Sequence, residues 1–404
     1  MIGLSAFIAG SGTTAEQIES TQESALRVFL DMSSYQDYVK EHIPLVNYVR
    51  DREQADLHIL VTSQGTGGRG TEYAVMFTGL RAFAGVNDTL TCVVKDEDTE
   101  EYTRSEIVRL IKLGLIRYVS RTPQAHDVSI TYRQRAAPAE VKDNWDYWVF
   151  GIAVNTSLSG EKSRKQTNYS GGVTADRVTL AWKISLGAAT EYGEDRYDTG
   201  QEIVTSISQV SAVRGLVVKS LDNHWSVGAN AEVSESQYFN LDLSAELAPA
   251  IEFDIFPYSE STRRDLRVMY TFGCQLNKYK EETIYFVSEE YLLRHELSIE
   301  LDVKENWGTL RGRLVGSNYL RDFDLNRLTF TTQVYFRVSE GISLSIAGNY
   351  SAIHDQIELP RRGATIDDIL LRRRQLATQY QYGMSVGLTY RFGSKYANIV
   401  NPRF

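Results

Sequence analysis

The sequence predicts a mainly β chain: a small α/β periplasmic domain over residues 25–122, then an antiparallel transmembrane β-barrel of about twelve strands over residues 145–393. Three observations predict it. Near the C-terminus Tyr380, Tyr382, Met384, Val386, Leu388, Tyr390 and Phe392 alternate with Gln379, Gln381, Gly383, Ser385, Gly387, Thr389 and Arg391. Strand side chains point to opposite faces with a period of two, so this segment has one apolar face and one small, polar face. Aromatic residues close both ends of the apolar face, as in the girdles of a membrane-spanning strand. Second, no run of eighteen apolar residues occurs, which excludes a helical span. A mean hydropathy of -0.30 is compatible with barrel strands, whose apolar residues are diluted by the polar ones between them. Third, the same alternation recurs in segment after segment from Trp145 onward.

Composition narrows the function classes. The 404 residues carry a net charge of -9, without the basic footprint of a nucleic-acid binder. Cys92 and Cys274 lie far apart and imply neither a disulfide framework nor a zinc site. His42, His58, His126, His224 and His295 are scattered without ligand spacing, so no metal and no cofactor is expected. Residues 1–24 read as a leader or signal remnant.

In the first domain, Leu26 to Leu30 forms a strand, and Ser33 or Ser34 can cap a short helix through Tyr38 and Val39 that ends before Pro44. Strands follow at 57–63 and 71–77, with another inside 79–92. The segment Gly65-Thr66-Gly67-Gly68-Arg69-Gly70 has the look of a phosphate-cradling loop, but such a loop must open a helix. A strand-like run, Tyr73 to Phe77, follows instead, so the glycines read as a hairpin turn. The longest helix is expected over Thr103 to Arg121, with Thr103 and Glu106 at capping-box spacing and Ile107, Leu110, Ile111, Leu115 and Tyr118 on one face. Residues 123–144 form a linker.

The first barrel strand presents Trp148, Phe150, Ile152 and Val154 outward. A tight turn near Ala175-Asp176 separates the second strand from the third, which presents Leu180, Trp182, Ile184 and Leu186. The segment from Asn240 to Ile255 alternates most clearly, and Pro249 on its outward set suggests a bulge. If the first domain is periplasmic, turns near 175, 221, 259, 306 and 340 lie on that side, and the long connection from His354 to Gln375 lies outside.

The blocks Leu370-Leu371-Arg372-Arg373-Arg374-Gln375-Leu376, Val386-Gly387-Leu388-Thr389-Tyr390-Arg391-Phe392-Gly393-Ser394 and Asn401-Pro402-Arg403-Phe404, with Phe256-Pro257-Tyr258, resemble outer-membrane β-barrel proteins of Bacteroidota and related Gram-negative bacteria. The resemblance implies an outer-membrane location and a barrel, and carries no activity with it. Here the last strand ends near Phe392, so residues 394–404 form a tail instead of closing the barrel on a terminal aromatic.

Two charge clusters are the candidate sites. Asp242, Glu246, Glu252, Asp254, Arg267, Glu296, Glu300, Asp302, Arg311 and Arg313 share the inward set of neighbouring strands. Opposite charges there can pair across strands into a salt-bridged plug, the favoured reading, or line an ion-selective wall. Arg361, Arg362, Arg372, Arg373 and Arg374 lie in the long outer connection, where they can bind lipopolysaccharide phosphate or pair with the acidic lumen as an internal plug, the second being favoured. His354-Asp355 and scattered serines lack the spacing of a hydrolytic site, so no enzyme is expected. The favoured function is a structural or transport, channel-like role at the outer membrane with a periplasmic docking domain. The alternative is an adaptor in outer-membrane protein assembly or secretion. Expected partners are outer-membrane lipid, lipopolysaccharide and a periplasmic protein, with no nucleic acid.

Overall fold

The computed structural model describes residues 25–66, 70–131, 143–198, 200–305, 307–339, 341–363 and 375–394, together with 396, 398, 400, 401 and 403. The first unit is a five-stranded sheet backed by helices. In chain order it contains β1 (Arg27–Asp31), α1 (Gln36–His42), β2 (Asn47–Tyr48), β3 (Leu57–Thr66), β4 (Gly70–Gly79), β5 (Asn87–Lys95) and α2 (Glu100–Val119). The strands lie in the order β2-β1-β3-β4-β5, with β1 parallel to β2 and β3 and the remaining pairs antiparallel.

Helix α2 lays Ile107, Leu110, Ile111, Leu115 and Tyr118 into one core with Val28, Leu57, Ile59, Val75 and Phe77. Spacings of three and four put these residues on a single stripe, and burying it stabilises a helix whose surface is otherwise charged. The helix begins three residues before its expected start. Thr99 is the N-cap, its hydroxyl accepting from Tyr102 N at 3.2 Å, and Glu100 and Glu101 occupy the first turn, where acids favour the helix dipole. Thr103 is buried and bonds back to Thr99 O at 3.3 Å, so the capping-box reading of Thr103 and Glu106 does not hold. Helix α1 likewise follows Tyr35 rather than a serine cap. The glycine-rich segment joins two antiparallel strands paired up to Thr66 and Gly70, with residues 67–69 outside the description, and no helix opens there. The unit runs slightly beyond residue 122, because a 3-10 turn at Pro123–Asp127 brings Val128 against the same core.

The second unit is a twelve-stranded antiparallel meander: β6 (Trp148–Gly160), β7 (Arg164–Val178), β8 (Trp182–Asp198), β9 (Ile203–Ser220), β10 (Trp225–Ser236), β11 (Leu241–Asp254), β12 (Arg264–Tyr279), β13 (Glu289–Glu305), β14 (Gly308–Tyr319), β15 (Asp322–Ser339), β16 (Ile342–Ile353) and β17 (Tyr380–Tyr390). Each strand pairs with its neighbours in sequence, and β6 and β17 stand at the two ends of the order. The expected mainly β class and strand number are therefore found.

The alternation sorts the two faces. Ile152, Val154, Tyr382, Met384 and Leu388 are 83%, 79%, 72%, 73% and 72% exposed, respectively, whereas the polar Ser226, Ser244, Asp254, Asn277 and Ser298 are buried. This is the reverse of a water-soluble sandwich, whose apolar set would be covered.

Two local expectations fail. Ala175 and Asp176 lie inside β7, paired with Leu186 and Ser185, and the turn falls at residues 179–181 with Leu180 fully exposed on it. Two more ladder pairs win there over the turn propensity of a single Asp. Pro249 causes no bulge: the register of β11 against β10 passes through Ala229 and Pro249 unshifted, and the irregularity lies at Ser234/Ser236 near the strand end.

Gly114 tests the first core. A Cβ there would stand 2.1 Å from Phe77 Cζ, and Phe77 is buried. Gly114→Ala is expected to destabilise this unit by about 1–3 kcal/mol through overpacking, despite the better helix propensity of alanine, read as a lower urea midpoint.

Candidate functional site

The concave face of the meander carries the first candidate cluster, and the register decides which charges meet. Arg267 on β12 stands opposite Glu300 on β13, which stands opposite Arg313 on β14. Glu300 accepts hydrogen bonds from Arg267 Nη2 and Arg313 Nε, both at 2.8 Å. Arg267 also approaches Asp265 at 2.9 Å and Glu252 at 4.0 Å, and Arg311 approaches Asp302 at 3.4 Å. Glu252 in turn accepts from Tyr258 Oη at 3.0 Å and Ser226 Oγ at 3.1 Å. Glu296 pairs with Arg294 at 2.8 Å. Of these groups Glu252, Tyr258, Arg267, Arg294, Glu296 and Glu300 line an interior cavity of about 640 Å³ that reaches Lys183 on β8.

Three expected members sit apart from this network. Asp242 is well exposed, its carboxylate 3.9 Å from Lys280 at the far end of β11. Glu246 lies midway along β11 facing the cavity, close against the backbone of Gly273. Asp254 is buried beside Asp265, in register with Arg267. Sequence reading missed Asp265, Arg294 and Lys304, although each shares the inward parity of Arg267, Glu296 and Asp302. The signal was present in the period of two.

The end of the meander away from the first unit is covered by its own loops. Ile357 is buried with Leu292, Tyr319 and Leu325, all from the inward set of their strands. Asp355 holds Arg327 at 2.8 Å, and Asn240 Nδ2 donates to Glu281 O at 2.8 Å and Glu358 O at 3.0 Å. Thr283 bridges Pro360, tying the 280–288 loop to the 354–363 segment. Arg361 pairs with Glu282 at 2.9 Å and lies 4.3 Å above the Phe286 ring. Its partner is thus an acid of the neighbouring loop and not one of the interior cluster. Arg362 is exposed, and Arg372, Arg373 and Arg374 lie outside the described residues.

The opposite end meets the first unit. Arg337 on β15 reaches Asp31 at the end of β1 at 2.7 Å and sits 5.3 Å above the Phe29 ring. Asp51 accepts from Gly341 N at 2.7 Å, and Gln64 shares a 3.3 Å hydrogen bond with Ser261. At Gly341 φ is +72° and a Cβ would lie 2.1 Å from Arg391 O, so the turn requires glycine. The C-terminal tail also docks: Tyr396 bridges Val49 in antiparallel sense, and Asn398 accepts from Tyr48 N at 2.5 Å and donates to Asn47 Oδ1 at 3.0 Å. The tail therefore touches the five-stranded sheet at its β2 edge through one bridge and the Asn398 side chain, contacts no local pattern announced.

No protein-family model and no curated protein matches the chain. Among solved structures it is similar to the NanC porin in a rhombohedral crystal form, at 10% identity over 61% of this chain and 99% of that one, with a TM-score of 0.29. It is also similar to the β domain of the Bordetella autotransporter BrkA, at 11% identity over 61% and 98% with a TM-score of 0.25. A third likeness is to the translocator domain of the autotransporter NalP from Neisseria meningitidis, at 11% identity over 61% and 81% with a TM-score of 0.19. The functional reading rests on the sheet's own surface and interior.

Burial alone would raise the Asp31 carboxyl, but the close approach of His58 and the hydrogen bond from Arg337 outweigh it and hold the group below the usual carboxylate range. Burial pushes fully covered His58 below its ordinary 6.5, and the Asp31 contact at 3.4 Å only partly offsets this. Both folded values are depressed, so both groups stabilise the fold above their unfolded values, and that stability is lost as pH falls through the folded ones. The first unit is expected to lose stability from pH 6.5 downward, with Asp31 adding to the loss below about pH 4. Thermal melts across this range check it: His58→Gln should flatten the upper part of the slope and leave the lower part. In the interior, Glu300→Gln removes the shared acceptor of two half-exposed guanidiniums and is expected to cost about 1 kcal/mol, measured as the urea midpoint.

Proposed function

We propose that this chain is an outer-membrane β-barrel whose filled lumen makes it a structural anchor, holding an α/β docking domain at its periplasmic mouth. The observation that carries the reading is the exposed apolar face. Ile152 and Val154 on β6, Leu186, Val213 and Leu247 on the strands between, and Val386 and Leu388 on β17 are exposed on the face away from a polar, ion-paired interior. Water would oppose so large an apolar surface, whereas lipid is its natural medium. Aromatic residues cluster toward strand ends: Trp145, Trp148 and Phe150 at the start of β6, and Tyr380, Tyr382, Tyr390 and Phe392 about β17.

In a bilayer the outer edges of β6 and β17 pair with each other, because each backbone group left unpaired in hydrocarbon costs several kcal/mol. The two strands run antiparallel after eleven reversals, which permits this closure. The Ile357 cluster at one end, the ion pairs within and the docked domain at the other favour a filled barrel over a conducting one. With the first unit periplasmic, the 354–363 segment faces outward.

Adjacent residues on one strand test the reading. Val386→Arg places a charge against lipid and is expected to cost about 2–4 kcal/mol near the membrane midplane, whereas Ser385→Arg faces the interior and costs less. The readout is the fraction of heat-modifiable protein recovered from outer-membrane fractions. Equal recovery of the two variants would sink the proposal. In planar bilayers the purified protein is expected to show no steady conductance; a stable open level would return the reading to a channel.

A further inference from the structure

The junction between the two units encloses a second cavity, of about 1310 Å³, which the docking contacts do not fill. Its chemistry points to a ligand. Arg50, Arg52 and Arg391 border it, and none has a carboxylate partner among the described residues. Of its acids, Asp31 is paired with Arg337 and Glu305 with Arg263 at 3.0 Å, while Asp51 accepts from the neutral Gly341 N–H and keeps its charge, which leaves Asp51 and Glu53 against three arginines. A chain with a net charge of -9 thus concentrates unbalanced positive charge in one recess.

The floor supplies an independent observation. Thr62 lines the cavity at 7% exposure, and its hydroxyl has no hydrogen-bond partner. A buried hydroxyl left unpaired costs about 1–3 kcal/mol, so a polar ligand atom that reaches it recovers that cost. Lys304, 8% exposed, brings a further cation to the same space, its amine 3.6 Å from Asp302. Trp307 lines the wall and is about one third exposed, at 36%. Cations, a buried hydroxyl and an exposed indole face together suit a ring that carries both hydroxyl groups and an oxyanion.

We propose that this junction is a binding site for a small anionic sugar, a pyranose bearing a carboxylate or a phosphate. The arginines of the rim receive the oxyanion, Thr62 takes a ring hydroxyl and Trp307 covers the apolar ring face. Both units contribute, so the ligand clamps the α/β domain onto the meander. The inference is independent of the membrane reading, because contacts between the two units define the cavity whatever medium surrounds the strands.

The test is calorimetric titration of the full chain in detergent micelles with N-acetylmuramic acid, glucose 1-phosphate and neutral N-acetylglucosamine. At least one anionic sugar is expected to bind with a Kd of about 1 mM or tighter, and the neutral sugar at least about tenfold more weakly. Whichever anionic probe binds better identifies the source as carboxylated or phosphorylated. The double variant Arg52→Gln/Arg391→Gln should weaken binding at least about fivefold, and the near-isosteric Thr62→Val, which leaves the charges in place, should weaken it about threefold or more. Arg362→Gln, at the opposite end of the meander, is expected to bind as the parent does. Equal affinity for neutral and anionic sugars, no heat from either anionic probe, or unchanged binding by both cavity variants would overturn the proposal.

Discussion

The structure depends on one constraint: twelve consecutive strands must keep their side-chain alternation in phase across eleven ladders. A one-residue slip in any ladder would turn every later side chain to the opposite face, sending carboxylates outward and leucines into the interior. The register holds through the middle of each pair, and its shifts fall near strand ends, as at Ser234/Ser236 and Leu241/Leu243. Everything inside the meander follows from that phase. Glu300 meets two arginines because the residues opposite it on both sides are Arg267 and Arg313.

The interior is held by polar contacts, so it behaves differently from the core of the first unit. There, apolar stripes of α2 and the sheet exclude water, and a single added methyl at Gly114 meets the Phe77 ring. In the meander most of the buried polar groups are serines, asparagines and acids, and partly exposed ion pairs link neighbouring strands. The cover at one end adds a small apolar patch around Ile357, and the opposite end joins two folded units through Asp31, Arg337 and the tail. Between the first unit and the strands remains the arginine-bordered cavity.

Much of the fold was legible in the sequence because its signals are local. Alternation of Leu241, Leu243, Ala245 and Leu247 with Asp242, Ser244, Glu246 and Ala248 states which face each residue takes. The stripe from Ile107 to Tyr118 likewise announces a helix and its buried side. The failures were at boundaries, where a few residues of propensity compete with cooperative ladders or caps. Thr99 displaced Thr103 as the cap because its hydroxyl meets a free helical N–H, and β7 ran past Asp176 because its partner β8 continued.

By itself, then, the sequence determined most of the strands and helices, the approximate strand number and which face of each strand is apolar, since those are set by periods of two and three to four residues. Only the tertiary structure decided which charges pair, that Ile357 packs against Leu292, Tyr319 and Leu325 at one end, and that the tail bridges the first sheet at Val49. The physical reason is distance along the chain: Asp31 meets a residue 306 positions away and Tyr48 one 350 positions away. No short-range pattern encodes such contacts. They arise when two separately folded surfaces, each with its own unsatisfied groups, are brought together and must satisfy one another.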